Sequence, residues 1–214
     1  MTEFKTVTLA DRVYEKIEHD IIYGIYPRGM MLTEMGLAEE LGMSRTPIRE
    51  ALRRLVHEGL LDESGRGTVV RGITKEDLTD ILTIRIPLEG MAAYYAAQNI
   101  TEDEIRELTR VMDLQEFYME KNDREKISEI DNRIHEMICE ISGHRVVLDT
   151  LTPLRHKAAK YRKTAVQTGN TETIVSEHKH IYQAVIEHKA EDARRYAEEH
   201  ARNAMQRILA DEAL

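Results

Sequence analysis

The sequence predicts a mainly α fold in two parts, an N-terminal winged helix-turn-helix followed by a C-terminal antiparallel six-helix bundle. Three observations lead there. Ala, Glu, Leu, Arg and Met are plentiful, while Val, Ile and Thr do not gather in alternating runs, which favours helix. Glycines cluster at Gly65, Gly67 and Gly72, just before a Thr74–Asp77 pair that reads as a capping box opening a new helix. Apolar residues recur at helical spacing on both sides of that point, and the segments beyond it are joined by short connections. The expected domains are residues 1–72 and 73–214.

In the first part, "TLADRVYEKIEHDIIYG" begins with a cap at Thr8, carries the stripe Leu9, Val13, Ile17 and Ile21, and stops at Gly24. "YPRGMML" reads as a turn. Thr33 opens a second helix that Gly42 closes. Ser44 caps a third, with Ile48, Ala51, Leu52 and Leu55 inward and Gly59 at its end. "LLDESGRGTVVRG" reads as two short strands around a glycine-bearing hairpin. In the second part, one helix covers "KEDLTDILTIRIPLEGMAAYYAAQ". Thr101 with Glu104 caps the next, and "REKISEIDNRIHEMICEIS" forms a third, ended by Gly143. A fourth starts at His144 and meets Pro153, which is expected to bend it or end its first segment. "TETIVSEHKHIYQAVIEH" and "AEDARRYAEEHARNAMQRILADE" complete the six.

The chain carries a net charge of −9, yet "SRTPIREALRRL" holds four arginines in twelve residues. Charge is uneven: residues 1–72 have a net of −2 and residues 73–214 a net of −7, so the total says little about this stretch. In a winged helix-turn-helix the second helix of the pair enters the major groove with its first turn leading. Arg45 and Arg49 are one turn apart and share a face away from the inward stripe. Free helix-start N–H groups and arginine forks suit phosphate and guanine edges. Four arginines alone would be read as a solvated face. The ordered set of helix, turn, capped basic helix and glycine hairpin turns the reading toward double-stranded DNA. The one cysteine, Cys139, excludes an internal disulfide and fits a reducing cytosol. No apolar run approaches the ~20 residues of a membrane span, and there is no apolar leader, so a cytoplasmic protein is expected.

Polar residues on the inward stripes of the bundle carry the second set of candidates. Ile127, Ile130, Ile134, Ile138 and Ile141 form a stripe with Asp131 and His135 on or beside it, one turn apart. Ile174, Ile181 and Val185 flank His178, and Ala193, Tyr196, Ala197, Ala204 and Ile208 surround His200. A lone inward histidine is ordinarily a hydrogen-bonded core residue. Three imidazoles and a carboxylate aimed inward from three helices suit a divalent metal ion. His180 falls on the solvent side. Arg85, in register with Leu78, Ile81, Leu88 and Ala92, faces inward and needs an anion, either a ligand carboxylate or Glu89 one turn on.

"MMLTEMGLAEELGMSRTPIREALRRLVHEGLL" followed by "GRGTVV" resembles the N-terminal domain of GntR-family bacterial transcription regulators over about residues 8–72. The resemblance implies operator contacts from Ser44, Arg45, Thr46 and Arg49, and from Arg66 and Gly67 at the wing tip. Met35 stands where some members carry a DNA-contacting arginine, so that contact is not carried over. The second half is similar to the FCD-type ligand-binding domain of the FadR branch, through Asp131-x-x-x-His135, Glu177-His178 and His200, and its six helices are similar to the VanR-like group. That implies a divalent cation, often zinc, nickel or manganese, held by Asp131, His135, His178 and His200, beside a small organic acid. His144 and Ile134 depart from the asparagine and the aromatic residue usual in the family.

The expectation is a cytoplasmic homodimeric regulator, a repressor, that binds a palindromic operator and responds to a small carboxylate effector held at the metal and Arg85. The alternatives are a purely structural ion or direct metal sensing in the same DNA-binding regulator. A metalloenzyme would need a general base and an electrophile stabiliser that the sequence does not display beside the four ligands.

Overall fold

The computed structural model describes residues 8–210. The outer ends of both expected domains, residues 1–7 and 211–214, lie outside it. The described chain divides between Thr74 and Lys75 into two compact units.

The first unit runs α1 (Leu9–Ile22), β1 (Met31–Leu32), α2 (Glu34–Leu41), α3 (Arg45–His57), β2 (Leu61–Ser64) and β3 (Gly67–Val70). Thr8 and Asp11 close a reciprocal capping box on α1. Val13, Ile17 and Ile21 are buried against Ile48, Ala51, Leu52 and Leu55 of α3. Leu9 is instead 47 % exposed. It is the first helical residue, and its side chain leans back toward the N-terminus, past the surface that α3 supplies.

Two local readings are corrected here. "YPRGMML" contains a strand as well as a turn: β1 pairs antiparallel with β3, Met31 opposite Val69, giving the sheet order β1-β3-β2. A two-residue strand whose partner lies far along the chain leaves no periodicity to read. Gly67 makes the pairing possible, since a Cβ there would sit 2.6 Å from the carbonyl oxygen of Leu32. Ser44 occupies the N-cap position of α3, but its hydroxyl makes no capping bond. The third helical residue is Pro47, which has no N–H to give.

The second unit is all helix: α4 (Lys75–Asn99), α5 (Glu102–Glu120), α6 (Arg124–Ile141), α7 (Arg145–Thr168), α8 (Thr171–Ile186) and α9 (Ala190–Leu209). The Thr101–Glu104 capping box starts α5, and Gly143 follows α6 with a left-handed φ of 68°. α4 is central and packs against α6, α7, α8 and α9. Its Ala92, Ala93, Ala96 and Ala97 are essentially buried, and small side chains let neighbouring backbones come close. α7 does not end at Pro153; it runs through it as one 24-residue helix. Leu151 before the proline and Arg155 and Ala158 after it are buried, so packing on both sides outweighs the lost hydrogen bond.

Candidate functional site

The bundle gathers four polar side chains from three helices. Asp131 and His135 sit one turn apart on α6, His178 comes from α8 and His200 from α9. All four are buried, and each offers a ligand atom within 4.8 Å of the others. The imidazole rings lie 4.6–5.2 Å apart, centre to centre. His180 points elsewhere, exposed and stacked on Tyr196.

Each histidine is oriented from behind. Nδ1 of His135 donates to Glu89 Oε2 at 2.9 Å, that of His178 to Gln115 Oε1 at 3.0 Å, and that of His200 to Glu177 Oε2 at 2.7 Å. An oxygen acceptor behind Nδ1 holds the proton there and leaves the Nε2 lone pair free. Nε2 of His135 and of His178 is buried with no hydrogen-bond partner. Burial also pushes the His135 imidazole down to about 4 and His178 well below the usual histidine range, so both are neutral ligands at pH 7. Burial opposes charge on Asp131 too, but Arg162 and then the three histidines outweigh it and hold the carboxyl well below its ordinary range. Two orphaned imidazole nitrogens, a third imidazole and an ionised carboxylate match the donor set of a divalent transition metal.

Arginines surround this cluster. Arg85 is 3 % exposed and donates Nε and Nη2 to Glu89 Oε1, whose other oxygen takes His135. The internal ion pair with Glu89 is therefore made, and Arg85 also borders a narrow cleft with Asp131, Arg162, His200 and Arg207. Arg162 Nη2 bonds Asp131 Oδ2 at 2.5 Å, while its Nη1 is buried without a partner. Arg155 gives Nη2 to the Asn132 carbonyl and leaves Nε unpaired. Gln115, Arg155 and Arg162 were not singled out from sequence, and Glu89 was expected only as the partner of Arg85, not as the acceptor behind His135. Arg155 and Arg162 carry a readable signal, since they share a helical stripe with Leu151, Ala158 and Val166.

In the first unit, Ser44, Arg45, Thr46 and Arg49 are exposed at the start of α3, and Arg66 is exposed in the turn between β2 and β3, beside half-buried Gly67. The remaining arginines of the helix separate. Arg53 borders the groove between α3 and the hairpin with Arg49. Arg54 turns toward α1, where it bonds Asp11 and lies over the Tyr14 ring. Glu34, also missed from sequence, takes hydrogen bonds from both Arg45 and Arg49.

A helix-turn-helix with a three-stranded wing, joined to a helical bundle, is the architecture of a DNA-binding transcription regulator. The family model described as "FCD domain" matches residues 80–203, and the one described as "Bacterial regulatory proteins, gntR family" matches residues 9–70. The chain belongs to the GntR family and carries an FCD domain; it is a transcription regulator and not an enzyme. The HTH-type transcriptional regulator YdhC of Bacillus subtilis is 28% identical over 87% of this chain and 85% of its own. The HTH-type transcriptional repressor RspR of Escherichia coli is 23% identical over 91% and 86%. The solved structure of E. coli McbR/YncC superposes with a TM-score of 0.78 at 25% identity, covering 98% of this chain and 100% of that one. No described helix is long and apolar enough to cross a membrane.

Proposed function

We propose that this regulator is a cytoplasmic homodimeric repressor whose hold on a palindromic operator is released by a small hydroxy- or polycarboxylic acid at a metal-containing pocket. Each protomer reads one half-site through Ser44, Arg45, Thr46 and Arg49, with Arg66 and Gly67 at the wing tip. Ser44 suits a phosphate because Pro47 leaves its hydroxyl free of capping duty. Operator binding requires the compartment that holds the DNA, and the name of RspR supports repression.

The observation that carries the effector reading is the buried Asp131, His135, His178 and His200 cluster, with two orphaned Nε2 atoms, set beside Arg85 and Arg162. A divalent ion, zinc or else nickel or manganese, would be held by those four residues, supplying positive charge and open positions for an acid's oxygens. The chain's own part is to bind the far end of the acid. Arg85, Arg155 and Arg162 are three buried guanidinium groups facing only two buried carboxylates, Glu89 and Asp131. That imbalance favours an anion. A larger cavity of about 480 Å³ lies nearby, but Glu172, Glu177 and Glu199 line it, which is the wrong sign for an acid.

The test is fluorescence anisotropy of labelled operator, selected from a random DNA pool, with the acid that most raises the melting temperature. The acid should weaken operator binding by about 1–3 kcal/mol, a usual size for coupling between sites. The effect should vanish in metal-stripped protein and in His135→Ala, and weaken in Arg85→Ala. A second reading is favoured by the narrowness of the cleft beside the cluster, about 20 Å³: the ion pins α6, α8 and α9 together and no acid binds. Loss of fold on chelation, with operator affinity indifferent to every acid, would establish it.

A further inference from the structure

The operator-reading face contains a carboxylate where a DNA-binding surface is expected to be basic. Glu34 is the first residue of α2, directly after the Thr33 cap, a position where the helix dipole favours negative charge. Its two oxygens are fully engaged. Oε1 accepts Arg49 Nε at 2.7 Å, and Oε2 accepts Arg49 Nη2 at 2.8 Å and Arg45 Nη2 at 3.0 Å. These bonds hold the Glu34 carboxyl down at about 2, so it stays ionised at any working pH.

The edge of the guanidinium that Glu34 occupies decides its effect. An arginine fork has five N–H donors. Glu34 takes Arg49 side-on, through Nε and one hydrogen of Nη2. Both hydrogens of Nη1 and the second of Nη2 remain, and one from each nitrogen lies along the end of the fork. That end-on pair matches the spacing of guanine O6 and N7. A carboxylate set end-on would have blocked the reading edge; one set side-on fixes the plane of the fork and leaves that edge clear. Holding a long side chain in its bound conformation beforehand removes the ordering cost of binding. Arg53 lies along the same groove and Arg66 at the hairpin tip, neither of them bonded to Glu34. Met35, 71 % exposed, offers no charged donor from α2.

We propose that Glu34 is a specificity-determining positioning residue: it holds Arg49, and with it Arg45, in the orientation that reads bases, while Arg53 and Arg66 serve the phosphates. This rests on the reading of α3 as the operator-reading helix. It adds a division of labour to that reading, because a carboxylate repels the phosphates of any duplex and can favour the operator only by presetting the arginines that read its bases.

The test uses the full-length protein and two labelled duplexes of equal length, the operator enriched from a random pool and its scrambled sequence. The readout is the ratio of the two affinities, with melting temperature measured alongside. Glu34→Ala should lower the ratio roughly tenfold or more, the scale of one bidentate base contact. Its affinity for the scrambled duplex should be kept or raised, since a negative charge has gone. Glu34→Gln, which keeps the size and one acceptor, should fall between and carries the test if Glu34→Ala melts early. Arg53→Ala should weaken both duplexes alike and flatten the salt dependence. An unchanged or larger ratio in Glu34→Ala, with Arg49→Ala losing discrimination, would overturn the assignment and make Glu34 a bystander or a competitor of DNA. If Arg49→Ala also keeps the wild-type ratio, the reading of α3 itself falls, and the role of Glu34 falls with it.

Discussion

Each unit of this regulator pairs an arginine with a glutamate at a candidate binding surface, and the two pairs live in opposite solvents. Arg49 and Glu34 sit at 47 % and 27 % side-chain exposure, whereas Arg85 and Glu89 sit at 4 % and 6 %. Water screens the first pair, so it contributes little to folding and acts on geometry instead. The second pair has left water. Its members depend on each other and on His135, which takes the other oxygen of Glu89. The same two residue types thus set a reading head in one unit and tie a candidate metal ligand to a buried cation in the other. Exposure, more than residue identity, decides which.

The strongest way to break this comparison is Glu89→Ala. It strands the Arg85 guanidinium in the core and frees the back of His135. Breaking a buried pair on one side costs about 3–5 kcal/mol, so urea denaturation should show a loss of that order. A loss no larger than that of a surface mutant would mean that the two environments do not differ as described.

Metal removal comes next. An ion that binds only the folded state at a hundred times its dissociation constant adds about 2.7 kcal/mol. Calorimetry should therefore show a clear fall in Tm on chelation and in His200→Ala. His180→Ala, which removes an exposed ring, should melt as wild type does. Elemental analysis should find about one divalent ion per chain, as the four-residue site requires. Metal-free protein insensitive to added zinc, nickel and manganese would remove the ion from the account.

Arg49→Ala sharpens the other side of the comparison. Operator affinity should fall roughly tenfold or more if a base contact is lost, with Tm unchanged because the side chain faces solvent. The smallest expected effect is Glu34→Ala on stability: its Tm should stay within the scatter of the wild-type measurement. A drop comparable to that of Glu89→Ala would show the surface pair to be structural.

Parts of this were legible along the chain. Asp131 and His135 stand one turn apart in an isoleucine stripe, and the start of α3 announces itself by Gly42, Ser44 and the basic turn that follows. Other parts were not. β1 is two residues long and draws its identity from β3, and Pro153, expected to bend the helix or end its first segment, does not end it because its neighbours on both sides are buried. Gln115 looks like any polar residue in an amphipathic helix until His178 is brought against it from α8. Glu34 looks like ordinary helix-start chemistry until the turn between α2 and α3 delivers two arginines to it.

What the sequence by itself determined is what repeats locally: helices from apolar spacing, their ends from Thr and Gly caps, and the residue types available on each face. Local periodicity says which way a side chain points, because helical geometry is fixed by the backbone. Tertiary structure alone decided which groups meet. The convergence of four ligand atoms from α6, α8 and α9, the acceptors behind each imidazole and the side-on grip of Glu34 on Arg49 all depend on distances between helices. Those distances come from the packing of whole faces, such as the alanines of α4 against its neighbours, and no short stretch of sequence contains them.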